Sequence, residues 1–115
     1  MASLVGTIET KPYLAAAERL MSEEERAAIV DTIAANPEGG VVIPGTGGLR
    51  KLRIPLGGHG KRGGGRVIYW YRSQVCPVVL LFVFAKNEAE DLASGRRKQL
   101  MRIADALNEE FGDRT

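Results

Sequence analysis

The chain has one cysteine, Cys76, and one histidine, His59. A lone thiol closes no internal disulfide, which fits a cytoplasmic setting. A lone imidazole, set in a glycine loop with no partner evident, is a poor base, and no serine has the histidine and acid that would activate it. No cluster of His, Cys, Asp and Glu has the spacing of a metal site, so no cofactor is expected. Long apolar runs are also missing. The longest, Val78–Ala85, is strand-sized, against the roughly 20 residues of a membrane helix. The N-terminus lacks the basic stretch and apolar core of a signal peptide.

Acid is absent from the middle of the chain. Residues 50–72 hold seven basic side chains (Arg50, Lys51, Arg53, Lys61, Arg62, Arg66 and Arg72) and no Asp or Glu. Residues 1–49 hold three basic and seven acidic side chains, and the net charge of the whole is only +2. The neutral average hides a concentrated positive field, and such a field attracts polyanions, of which nucleic acid is the commonest in cytosol. Paired carboxylates for acid–base work are excluded from this stretch.

At 115 residues the chain reads as one domain spanning 1–115. Branched residues over Leu4–Ile8 suggest a first strand. Thr10 caps the next element, with Pro12 in its first turn, and Tyr13, Leu14, Ala17, Leu20 and Met21 recur at helical spacing. Ser22-Glu23-Glu24-Glu25 is a capping box that opens a second helix, ended by Asn36-Pro37 because the residue before proline avoids the helical region. Eleven of the fourteen glycines then fall between Gly39 and Gly65, around a strand at Leu49–Ile54 and before another at Arg66–Tyr71. Val78–Ala85, apolar on both faces, reads as a central strand. Leu100, Ile103, Ala104, Leu107 and Phe111 stripe a last helix, with Ser94 as its cap. The order β-α-α-β-β-β-α implies an α+β fold: a sheet of about four antiparallel strands packed against helices.

Alternation along Leu49–Ile54 puts Lys51 and Arg53 on one face, about 7 Å apart, and Arg50 on the other. Arg66 opens the following strand and can join them across the ladder. Cations converging on one sheet face repel one another unless a phosphate sits between them; three exposed cations on a wet face is the plainer alternative. The glycine loops do not read as nucleotide sites. Lys61 is followed by Arg62 where a Walker loop needs Ser or Thr, and Pro55 stands where its first glycine belongs. Flexible loops that bring Lys61 and Arg62 to phosphates fit better. Arg96, Arg97 and Lys98 lie in the first turn of the last helix, against the macrodipole, where phosphate contact or plain solvation would account for them. Tyr69, Trp70 and Tyr71 are candidates for base stacking, although their alternation on a strand makes part of the trio core.

Three stretches resemble the RelE/ParE superfamily of toxins, and most closely its HigB-like branch: GTGGLRKLR (Gly45–Arg53), GKRGGGRVIYWY (Gly60–Tyr71), and AKNEAEDL (Ala85–Leu92) followed by RKQL (Arg97–Leu100). The resemblance runs from about residue 20 to 105. It implies a RelE-like fold, a curved antiparallel sheet with an N-terminal helical hairpin and a C-terminal helix. It also implies an mRNA endoribonuclease that acts on the ribosome and is silenced by a cognate antitoxin, often a helix-turn-helix DNA-binding protein. Arg66 matches the family's active-site Arg, and Lys51 and Arg53 its two basic positions on the preceding strand. Lys86 and Asn87 fall where the best-known members have Lys-Arg, and Ala93 falls near their stacking Tyr; HigB-like relatives share these departures. The expected catalytic set is therefore Arg66, Lys51, Arg53 and Lys86, with Arg50, Lys61, Arg62, Arg96, Arg97 and Lys98 toward RNA or ribosome. Neighbouring cations favour the neutral form of an amine, so Lys51 is the candidate base, Arg66 the phosphorane stabiliser and Arg53 an orienting or acid group. A gyrase inhibitor of the ParE kind and a non-catalytic RNA-binding module are the alternatives.

Overall fold

A computed structural model of the chain describes residues 6–56, 64–86 and 94–112. The first strand, β1 (Thr7–Glu9), leads into a helical hairpin, α1 (Lys11–Leu20) and α2 (Glu23–Ala35). A short 3-10 turn at Pro37–Gly39 and the two-residue β2 (Val41–Val42) follow. Then come β3 (Leu49–Ile54), β4 (Gly65–Trp70), β5 (Val78–Ala85) and α3 (Ser94–Phe111). The five strands form a curved, unclosed sheet in the order β1-β5-β4-β3-β2. The expected α+β fold holds, with two differences of detail: β2 adds a fifth strand, and β1 runs parallel to β5, with Thr7 opposite Val78. The remaining pairs are antiparallel. No described helix is long and apolar enough to cross a membrane.

Local chemistry sets the hairpin. Thr10 caps α1 by accepting from the Tyr13 amide, and its hydroxyl donates to the Leu80 carbonyl at 2.8 Å, which staples the helix start to β5. The capping box of α2 is complete: the Ser22 hydroxyl accepts from the Glu25 amide at 3.1 Å, and the Ser22 amide donates to the Glu25 carboxylate at 2.9 Å. Arg26 pairs with both Glu9 and Glu23 at 2.7 Å, so two of the hairpin-side acids are engaged by one guanidinium.

The sheet is sandwiched. On one face Tyr13, Ala17, Leu20, Ile29 and Ile33 of the hairpin pack on Ile54, Val67, Tyr69, Leu80 and Val83. On the other, Leu100 and Ala104 of α3 cover Leu49, Ile68, Trp70, Val79 and Leu81, with Ile103, Leu107 and Phe111 packed alongside. With helices on both sides, Tyr69, Trp70 and Tyr71 are all buried. The trio is core throughout, and none of it is a stacking platform. Tyr69 serves as a strut: its hydroxyl donates to the Pro37 carbonyl at 2.7 Å and accepts from the Gly40 amide at 2.9 Å. Asn108 holds the far end of α3. It accepts from Trp70 Nε1 and Arg72 and donates to the Gly47 carbonyl at 2.6 Å.

Candidate active site

Register decides which cations meet. Lys51 lies opposite Ile68 and Arg53 opposite Arg66 in the β3–β4 ladder, and Arg66 lies opposite Phe84 in the β4–β5 ladder. Residues facing one another across strands share a face, so Lys51, Arg53, Arg66 and Phe84 all stand on the side that carries α3. Lys51 and Arg66 are diagonal neighbours, about 7–8 Å apart at their bases and within reach of long side chains. Lys86, just past the end of β5, is tied in by its amide, which donates to the Gly64 carbonyl at 3.0 Å. Gly64 is fixed there for a steric reason. Its φ is +64°, and a Cβ would collide with the Ile54 carbonyl oxygen.

Lys51, Arg66, Phe84 and Lys86 line an open recess of about 230 Å³. Lys51 and Lys86 are exposed and Arg66 is half-buried, its guanidinium donating to the Gly65 carbonyl at 2.9 Å. Among the described residues no carboxylate lines this recess. Three cations around an apolar ring suit a phosphate or a more highly charged phosphorane.

The other residues anticipated in the sequence fall elsewhere. Arg53 is aligned with Arg66 along the ladder, but it lines a different groove, with Glu25, Ala28, Ile29, Thr32, Leu52, Ile54 and Pro55 beside α2. Arg50 faces the hairpin side and donates to the carbonyls of Glu38 and Gly40, at 3.2 and 2.9 Å. Arg97 donates to the Pro44 carbonyl at 3.4 Å, Lys98 is exposed, and Arg96 lies over the Phe82 ring, 4.1 Å from its centroid. His59, Lys61, Arg62, Asn87 and Ala93 lie outside the described residues. Phe84 was not anticipated. Counting by twos back from Lys86 along β5 finds it, because alternation puts the two on one face.

A family model described as "RelE toxin of RelE / RelB toxin-antitoxin system" matches residues 15–112. Among solved structures, an arginine-to-alanine double mutant of E. coli toxin RelE in the free state is similar at a TM-score of 0.58 and 12% identity, over 84% of this chain and 97% of that one. At such identity the likeness speaks for the fold, while the family match spans the hairpin, the cationic strands and α3.

Proposed function

This chain belongs to the RelE toxin family, and on that premise we propose that it is a ribosome-dependent endoribonuclease that cuts mRNA and so arrests translation. Family membership implies a toxin–antitoxin system with a cognate antitoxin. We read the system as type II, the setting as the cytoplasm, the antitoxin as a helix-turn-helix DNA-binding protein and the HigB-like branch as the nearest. The observation that carries the nuclease reading is the recess of Lys51, Arg66 and Lys86.

The reaction asks three things of those residues. A 2′-hydroxyl must lose its proton while its oxygen attacks the adjacent phosphorus. Lys51 is the base that takes that proton. The phosphorane then carries two negative charges, which Arg66 stabilises through fixed N–H donors. The bond from phosphorus to the 5′-oxygen breaks, and that oxygen must receive a proton. We assign that role to Lys86, which lines the recess with Lys51 and Arg66. The products are a 2′,3′-cyclic phosphate and a free 5′-hydroxyl, and the scheme uses no metal. Such a cation set is thin catalytic equipment. Positioning has to provide much of the rate, and well-oriented reactants gain on the order of 7–11 kcal/mol. A ribosome that bends mRNA into line would supply it.

The test is end-labelled mRNA incubated with the purified chain, with and without programmed ribosomes, across a salt series. Cleavage should need ribosomes and weaken steeply with salt, because phosphate contacts release counterions. Equal cutting of naked RNA would leave a free-standing endoribonuclease. In cells, induction should shorten mRNAs at new ends; replication arrest with intact mRNA would favour gyrase inhibition.

A further inference from the structure

A second recess, of about 310 Å³, opens between α1, β5 and the first turn of α3, lined by Pro12, Ala15, Ala16, Arg19, Phe82 and Arg96. It exists because β1 is short. β1 pairs only with Val78–Leu80, and among the described residues no strand borders the edge of β5 beyond Leu80 on that side. The β4–β5 ladder is irregular at that level: Ile68 faces Phe82 and Tyr69 faces Leu80, so Leu81 is the extra residue of a bulge. Bulges re-aim side chains. Phe82 accordingly stays half-buried and touches both cores instead of being sealed in one.

Three features of this recess bear on what it holds. The Arg96 guanidinium lies over the Phe82 ring at 4.1 Å and is steadied by a 3.3 Å hydrogen bond to the Gln99 side chain. A planar cation is thereby held over a ring. Arg19, exposed in the last turn of α1, brings a second positive charge to the same recess, beside the small side chains of Ala15 and Ala16. Among the described residues no acid lines it. The Phe82 ring also lies 6.5 Å from the Phe84 ring, which lines the Lys51–Arg66–Lys86 recess, so the two recesses are neighbours along one strand.

We propose that this second recess seats one unpaired nucleotide of the RNA beside the cleavage position, its base stacked on the Arg96 guanidinium and its phosphate paired with Arg19. The inference rests on the RNA-cleaving reading and adds to it a stacking group and a phosphate contact. Unstacked bases lie on guanidinium planes as readily as on aromatic rings, and this chain offers a plane already backed by a ring.

The probe is a short single-stranded RNA carrying one 2-aminopurine, moved through each position in turn, at low salt. The protein is the full chain with Arg66→Ala, so that the RNA survives. Stacking quenches the probe, and quenching should concentrate at one position. Arg96→Lys, which keeps the charge and loses the plane, should relieve the quench and weaken binding by roughly five- to a hundred-fold. Arg19→Ala should lower the salt slope of binding by about 0.7, one phosphate contact on a single strand. Thermal midpoints check that each variant is folded. Quenching unaffected by Arg96→Lys, or no RNA binding at all, overturns the inference and leaves Arg96–Phe82 as a staple between α3 and the sheet. Ribosome-dependent cleavage by the unsubstituted chain is scored separately. Cleavage without an Arg96 effect sinks only the subsite, and an Arg96 effect without cleavage sinks only the nuclease reading.

Discussion

Arg50 and Lys51 are neighbours in β3 and work in opposite ways. Arg50 points to the hairpin face, where the carbonyls of Glu38 and Gly40 accept its N–H groups. Lys51 points to the α3 face, exposed, at the rim of a recess it shares with Arg66 and Lys86. The same contrast holds across the molecule. On the hairpin side Arg26 sits between Glu9 and Glu23, while on the α3 side Lys51, Arg66 and Lys86 gather at a recess that no described acid lines. A count of basic residues in the sequence cannot separate the two groups. What separates them is the face of the sheet that each side chain takes. Arg50 is tied to two carbonyls beyond its own strand, whereas Lys51 and Lys86 stand exposed beside Arg66 at one recess.

The sharpest test of that contrast is Arg66→Ala. Cleavage of mRNA on programmed ribosomes should fall by about 10²–10³-fold or more, as when a preorganised donor to a developing oxyanion is removed. Because Arg66 also donates to the Gly65 carbonyl, activity is compared at matched folded fraction. Lys51→Ala should cut activity strongly as well, and His59→Ala should leave most of it. A fully active Arg66→Ala would place the chemistry elsewhere.

Arg50→Ala should do the reverse. It takes a charged donor away from two carbonyls, and hydrogen bonds to charged groups contribute about 1.5–3 kcal/mol. Stability in urea should drop by about that much, while cleavage per folded molecule holds. If Arg50→Ala loses activity as Lys51→Ala does, at matched folded fraction, the two faces of β3 are not functionally distinct.

These two residues also mark how far the sequence could be read. Alternation in LRKLRI separates Arg50 from Lys51 and Arg53 correctly, and the strand ends where its pattern ends. The capping box at Ser22 and the apolar run of β5 were equally plain, because their signals are local. Arg50's partners were hidden, since its acceptors are backbone carbonyls, which every residue has and no sequence pattern displays. Parallel pairing of β1 with β5 joins residues some 70 positions apart, as Thr7 and Val78 are, with no turn between them to announce it. β2 is two residues long and too short to show alternation. Burial of the whole Tyr69–Tyr71 trio needed knowledge that α3 closes the second face. For the site, Arg66 and Lys51 were readable from strand position. That Arg53, on the same face, is not among the residues lining the recess depends on the shape of the sheet edge beside α2.

Tyr69→Phe probes the strut between sheet and hairpin. It would strip the Gly40 amide of its acceptor and the Pro37 carbonyl of its donor. A loss of about 1–3 kcal/mol in urea or thermal unfolding is expected, with activity per folded molecule unchanged. A neutral substitution would mean that water or a shifted turn replaces the tyrosine oxygen at once.

The smallest effect should come from the one place where the hairpin side breaks its own pattern. The Tyr13 hydroxyl is buried without a hydrogen-bond partner, alone in this among the described side chains. Its ring is fully enclosed by the hairpin core. Burial, helped by the nearby Glu9 carboxylate and opposed by Arg26, pushes its pKa up to about 12 from an ordinary 10.0. The folded state therefore holds this proton more tightly than the unfolded chain does. Below pH 10 both states keep it and the group adds no pH dependence. As pH rises from 10 toward 12 the unfolded chain loses the proton first, so unfolding is favoured and stability falls across that window. Tyr13→Phe keeps the ring and removes both the orphan hydroxyl and its titration. At neutral pH it should be level with the parent or more stable by up to about 1 kcal/mol, since no hydrogen bond is lost. Between pH 10 and 12 its advantage should widen, on the order of 2 kcal/mol. Tyr69 shifts in the same direction through burial, so the measurement is the difference between parent and variant, followed by urea unfolding at stepped pH. A Tyr13→Phe that is clearly less stable at neutral pH would mean that the hydroxyl has a partner in solution, and that the hairpin side has no unsatisfied group after all.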